Sequence, residues 1–198
     1  MPETLVIGSN NQKKARELAD ILAGLPWTVK TLADFSPMAE PVEDGDTFEA
    51  NALKKARYYG DALGLPCVAD DSGLIVDALG GAPGVQSARY AGPECRDDKN
   101  VEKLLRALDQ VPWHERTARF VCCAAFVAPG REPYITVGTV EGHIAAAPFG
   151  DRGFGYDPVF VPSPHEHTFA EMEPDKKHAI SHRGRAFRQL RGYLEALA

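Results

Sequence analysis

Ala69-Asp70-Asp71-Ser72-Gly73 lies between two apolar runs, Pro66-Cys67-Val68 before it and Leu74-Ile75-Val76 after it. Successive side chains of an extended chain point to opposite faces, so Asp70 and Asp71 address one cleft only if the chain bends at Ser72-Gly73. Asp, Ser and Gly are also the ordinary residues of turns. Two readings therefore stand: a turn between two strands, or an acid site in which Asp71 is the cleft-facing carboxylate. In the second, Asp71 is suited to hold Mg²⁺ through hard oxygen ligands, or to accept a proton from water.

Working outward, the 198 residues suffice for one large domain or two intimate lobes with a sizeable core, and residues 1–198 read as a single domain. A net charge of -6 argues against a nonspecific nucleic-acid or membrane binder, which normally displays a basic surface. It leaves open a phosphorylated small molecule, which needs only a local cluster of cations and helix-end amides. Cys67, Cys95, Cys122 and Cys123 show no metal-ligand spacing and read as reduced thiols. No apolar run reaches the roughly 18 residues of a membrane span, and the first residues lack the features of a secretory signal. The expected location is the cytoplasm.

Upstream, Thr4-Leu5-Val6-Ile7 reads as a strand and Ser9-Asn10-Asn11-Gln12-Lys13-Lys14 as a polar turn. Leu18, Ile21, Leu22 and Leu25 follow at helical spacing. Such a turn places helix N-terminal amides and a hydroxyl where an anion binds, with Lys13 or Lys14 to add a charged hydrogen bond; the alternative is simple capping by Ser9 or Asn10. Trp27 to Thr31 reads as a second strand, and residues 33–46 as a Pro-rich loop carrying Glu40, Glu43, Asp44 and Asp46. Glu43 is the candidate to join Asp71 on a metal. Asp46 or Thr47 then caps a helix from Phe48 to Leu63, on which Asn51 and Lys54, three residues apart, share a face.

Downstream, residues 80–92 are too rich in glycine for a helix and read as an ordered connection, with Arg89 facing either a phosphate or an acid. Asp97 opens a helix with Val101, Leu104, Leu105 and Leu108 on its buried side. Thr117–Val127 and Tyr134–Glu141 read as a hairpin, with a short third strand near His143 to Ala145. An early βα arrangement followed by antiparallel strands points to an α/β protein with a mixed sheet. In Gly153-Phe154-Gly155-Tyr156-Asp157, aromatic rings between glycines suit contact with a planar base, and Asp157 suits acceptance from ring nitrogens. Ser181 is placed to cap a final helix whose first turn holds His182 and Arg183. Cations there oppose the helix dipole unless an anion accompanies them.

Taken together, these blocks resemble the inosine/xanthosine triphosphate pyrophosphatases. The resemblance rests on Ser9, Asn11, Lys14 and Glu17; a looser block with Phe48, Asn51, Ala52 and Lys54; Asp70-Asp71-Ser72-Gly73-Leu74; and Gly80-Gly81-Ala82-Pro83-Gly84. It continues through Ser87-Ala88-Arg89-Tyr90, Gly153-Phe154-Gly155-Tyr156-Asp157-Pro158 and Ser181-His182-Arg183-Gly184. It implies an elongated mixed β-sheet with flanking helices forming two lobes around a substrate cleft, usually in a homodimer. It further implies that Ser9, Asn10, Asn11, Gln12, Lys13 and Lys14 form the phosphate-binding turn, with Lys54 an added phosphate contact. Asp71 is implied as the catalytic acid that takes the proton of the attacking water and touches Mg²⁺, Glu43 as second metal ligand, and Ser72 as a substrate neighbour. The base pocket maps to Phe154, Gly155, Tyr156 and Asp157 with Lys177, His182 and Arg183. The implied reaction converts ITP, dITP or XTP to the monophosphate and pyrophosphate. A pyrimidine-specific pyrophosphatase of similar fold and a noncatalytic nucleotide sensor are the rival readings.

Overall fold

The computed structural model describes residues 3–197. In chain order the elements are β1 (Glu3–Ile7), α1 (Gln12–Leu22), β2 (Trp27–Thr31), α2 (Phe48–Leu63), β3 (Cys67–Val76) and α3 (Asp97–Ala107). They continue with β4 (Thr117–Val127), β5 (Tyr134–Ile144), β6 (Phe160–Pro162), α4 (Pro174–Ile180) and α5 (His182–Leu197). One sheet has the order β2-β1-β3-β4-β5-β6. β1 pairs in parallel with β2 and β3, whereas β5 and β6 are antiparallel, so the sheet is mixed as expected.

The chain divides into two compact units. Unit 1 takes the residues up to Asp71, Cys122–Gly138, and those from Arg183 onward; unit 2 takes Ser72–Val121 and Thr139–His182. The chain passes from one unit to the other inside β3, β4 and β5 and at the start of α5.

In unit 1, Leu5 and Ile7 of β1 pack with Leu18 and Leu22 of α1, Phe126 of β4, and Phe187, Leu190 and Leu194 of α5. These residues recur at strand and helix periods, so each element puts one apolar face into this core. Trp27 joins it edge-on to Phe126 at 6.3 Å, and its indole N–H donates to the carbonyl of Leu194 at 3.1 Å. α2 begins where the hydroxyl of Thr47 accepts the amide of Ala50, and it stops at Gly64 in the left-handed conformation. In unit 2, Leu74 and Val76 of β3 pack with Val101, Leu104 and Leu108 from α3 and its end, and with Phe120, Phe160 and Phe169.

Three local expectations change. Ser72-Gly73 is not a turn: β3 runs unbroken from Cys67 to Val76, nearly every residue of it buried. Pairing and burial there outweigh the turn preference of Asp, Ser and Gly. The short strand expected near His143 is the end of β5, which extends to Ile144. Ser181 alone separates α5 from a seven-residue helix, α4, and its amide donates to the carbonyl of Lys177.

Candidate active site

Because β3 continues through the acidic pair, alternation sends Asp70 and Asp71 to opposite faces of the strand. Both are nearly fully buried, at 2% and 5% exposure, and each meets a different set of partners in unit 1. Asp70 accepts from the ammonium of Lys14 at 3.2 Å, and the guanidinium of Arg183 lies 3.7 Å away. Arg183 is itself anchored by Nη1 donating to Glu17 at 2.7 Å. Burial pushes the Asp70 carboxyl up, but Lys14, Arg183 and Lys55 together outweigh it and hold the group well below the usual carboxylate range.

Asp71 faces α2. Its Oδ2 accepts from Asn51 Nδ2 at 3.0 Å, and its Oδ1 lies 3.7 Å from the ammonium of Lys55. The same ammonium stands 3.1 Å from Glu43. The carbonyl oxygen of the Asn51 side chain accepts the amide of Gly45 at 2.8 Å, so one buried residue fastens Asp71 to the acidic loop. Burial raises the Asp71 carboxyl, the Glu43 charge adds to this, and Lys55, Lys14 and Asn51 only partly offset it. Lys55, by contrast, is raised: desolvation disfavours its charge, but Asp70, Asp71 and Glu43 favour it more. The two neighbouring carboxylates are thus displaced in opposite directions from the ordinary carboxylate value.

The phosphate-turn residues lie between β1 and α1. Asn11 is the N-cap of α1, its Oδ1 accepting the amides of Lys13 and Lys14 at 3.1 Å each, and Asn10 donates to the hydroxyl of Tyr59 at 3.2 Å. The cap is thus Asn11 and neither Ser9 nor Asn10, and the ammonium of Lys14 is directed to Asp70. Ser9 is half-buried, and Gln12 and Lys13 are exposed.

Lys54 falls elsewhere. Its ammonium pairs with Asp44 at the surface, and it is the adjacent Lys55 that reaches Asp71 and Glu43. The reading of Lys54 as the α2 lysine of the site is corrected to Lys55 in position. Asn51, four residues before Lys55, was the available signal, because residues four apart share a helix face.

Unit 2 holds the aromatic loop. Gly153 and Gly155 both take positive φ, 76° and 63°, and a Cβ on Gly153 would lie 2.0 Å from Asp157 Oδ2. Asp157 Oδ2 accepts the amide of Phe154 at 2.8 Å and the ammonium of Lys177 at 2.6 Å. Lys177, on α4, also stands 5.3 Å from the centre of the Phe154 ring. Tyr156 is buried, its hydroxyl donating to the carbonyl of Ser87 at 2.8 Å. His182 stacks flat on Phe120 at 4.6 Å and 9°. Ser72 opens the unit 2 part of β3 and is half-buried. Arg183, read with this group from the sequence, has Glu17 and Asp70 among its partners. Its partners sit far away in the sequence, so no local pattern announced them.

The oxygen donors suit a hard cation. Glu43 and Asp71 already converge on one ammonium, and Mg²⁺ is held by one or two carboxylates with water completing its shell.

The model of the Ham1 family matches residues 5–193. This chain belongs to the Ham1 family. The Ham1 chain is 50% identical over 190 residues to the dITP/XTP pyrophosphatase of Geobacter sulfurreducens, covering 96% of each chain. It is 52% identical over 186 residues to the dITP/XTP pyrophosphatase of Syntrophobacter fumaroxidans, covering 94% of this chain and 79% of that one. Among solved structures, a HAM1 protein from Coxiella burnetii superposes with a TM-score of 0.90 at 41% identity, over 99% of this chain and 100% of that one. The mixed α/β fold is thus the fold of that family.

Proposed function

We propose that the chain hydrolyses non-standard purine nucleoside triphosphates, dITP, ITP and XTP, to the monophosphate and pyrophosphate. The observation that carries this reading is the buried acidic pair on β3: Asp70 paired with Lys14 near Arg183, and Asp71 held by Asn51 with Lys55 beside it. Near-full-length similarity to two dITP/XTP pyrophosphatases supports the same reaction.

Each step follows from a residue. The ammonium of Lys14 binds and orients the polyphosphate, with Lys55 as a second cation. A carboxyl raised toward neutrality is a better proton acceptor for an attacking water than an ordinary surface acid, and Asp71 has that property. Glu43 and Asp71 would hold Mg²⁺, which when bound neutralises phosphate charge and polarises the phosphoryl oxygens. Positioning and charge stabilisation then supply most of the rate.

The base is assigned to the Phe154-Gly155-Tyr156-Asp157 loop with Lys177 and His182. A donor facing the 6-oxo group pairs with hypoxanthine and xanthine and is left unpaired by the 6-amino group of adenine, which such a site rejects strongly, while guanine is set apart by its 2-amino group. A homodimer belongs to the same proposal, and sedimentation equilibrium tests it. For specificity, the purified protein is given dITP, XTP, ATP, GTP and dTTP at equal concentration with Mg²⁺. Turnover confined to dITP and XTP is expected; preferred turnover of dTTP would favour the pyrimidine enzyme, and turnover of none would favour a sensor.

A further inference from the structure

The aromatic loop is held from two sides by carboxylates. Phe154 N–H donates to Asp157, which belongs to the loop, and the next amide, Gly155 N–H, donates to Asp97 Oδ2 at 2.8 Å. Asp97 lies 58 residues away in the chain, in the first turn of α3. The end of α3 fastens a second segment too: Asn100 donates to the carbonyl of Ala88 at 2.8 Å and accepts the amide of Ala91 at 2.7 Å. Tyr156 then ties the two segments together through Ser87. Gly155 sits in a left-handed conformation, φ 63°, which glycine adopts readily. Hydrogen bonds to two carboxylates hold the loop backbone.

Asp98, the other acid of that first turn, engages Arg96 instead, with Oδ2 2.6 Å from Nη2. Both acids complement the helix dipole, but only Asp97 touches the loop.

We infer that Asp97 is a positioning residue for base recognition, setting the orientation of the Phe154-Gly155 peptide and with it the aromatic ring. The inference rests on the assignment of this loop to the base. Asp97 does not meet the substrate; it acts by pre-forming the surface that does, which lowers the ordering cost of binding.

The test compares wild type, Asp97→Ala, Asp97→Asn and Asp98→Ala by steady-state kinetics on dITP and by amide hydrogen exchange at Gly155. Loss of one hydrogen bond that pre-forms a site should raise KM roughly three- to tenfold in Asp97→Ala, with kcat within about twofold. Asp97→Asn keeps an acceptor oxygen and should restore most of the affinity, Asp98→Ala should match wild type, and Gly155 should exchange faster only in Asp97→Ala. An unchanged KM in Asp97→Ala, an equal defect in Asp98→Ala, or unaltered exchange at Gly155 would overturn the inference while leaving wild-type turnover untouched. A wild type that binds no nucleotide would instead remove the base assignment, and the role of Asp97 in recognition with it.

Discussion

Asn51 donates to Asp71 at 3.0 Å while its carbonyl oxygen accepts the amide of Gly45, so a neutral, fully buried amide sets the orientation of the proposed catalytic carboxylate. Its hydrogen bond also lowers the Asp71 carboxyl against the upward push of burial. Removing it in Asn51→Ala should let that carboxyl rise further, moving the acid limb of the kcat/KM profile to higher pH. The lost buried hydrogen bonds should cost about 1–3 kcal/mol in a denaturant melt. An acid limb that stays in place would show that Asp71 does not govern it.

Asp71 itself illustrates a stability-activity conflict. Its folded-state carboxyl is raised, so the folded protein prefers it protonated; the penalty is absent at low pH and sets in as pH rises through the folded value. Asp71→Asn should therefore abolish turnover yet melt no lower than wild type at pH 7.5, with the two melts converging on acidification. A clearly lower melting temperature for the variant at neutral pH would contradict this.

Asp70 should behave in the opposite sense. Its carboxyl is depressed, so its stabilisation is fully present above the ordinary carboxylate range and is lost as pH falls through and below it. Asp70→Asn leaves Lys14 without this anion and Arg183 with Glu17, and breaking such a buried pair costs about 3–5 kcal/mol. Urea melts should show the gap between variant and wild type constant from pH 7 to about pH 5 and narrowing only as pH falls through the ordinary carboxylate range and below it.

The two adjacent lysines of α2 separate site from surface. Lys55→Met should lower kcat/KM by roughly a hundredfold, since it removes a buried cation from beside Asp71 and Glu43. Lys54→Met removes an exposed pair with Asp44, worth about 0–1 kcal/mol, and should leave kinetics near wild type. The reverse result would restore Lys54 to the site.

Much of this architecture was legible from the chain alone. β1, β2 and α2 follow from apolar spacing and from capping at Thr47, because local preference and burial agree there. β3 was harder: Asp, Ser and Gly signal a turn locally, and only pairing and burial explain a continuous strand. α4 has seven residues, too few for a helical period to show. Which of two neighbouring lysines enters the site depends on a rotation of about 100° around α2. That of Arg183 depends on Glu17, 166 residues away, a partner that no nearby residue indicates.

The most direct measurement follows dITP with Mg²⁺ by ³¹P NMR, in wild type and Asp71→Asn. Wild type should release dIMP and pyrophosphate in equal amounts, with no early orthophosphate, and Asp71→Asn should release neither while still binding nucleotide. Release of orthophosphate with the diphosphate, or undiminished turnover in Asp71→Asn, would contradict the proposed mechanism.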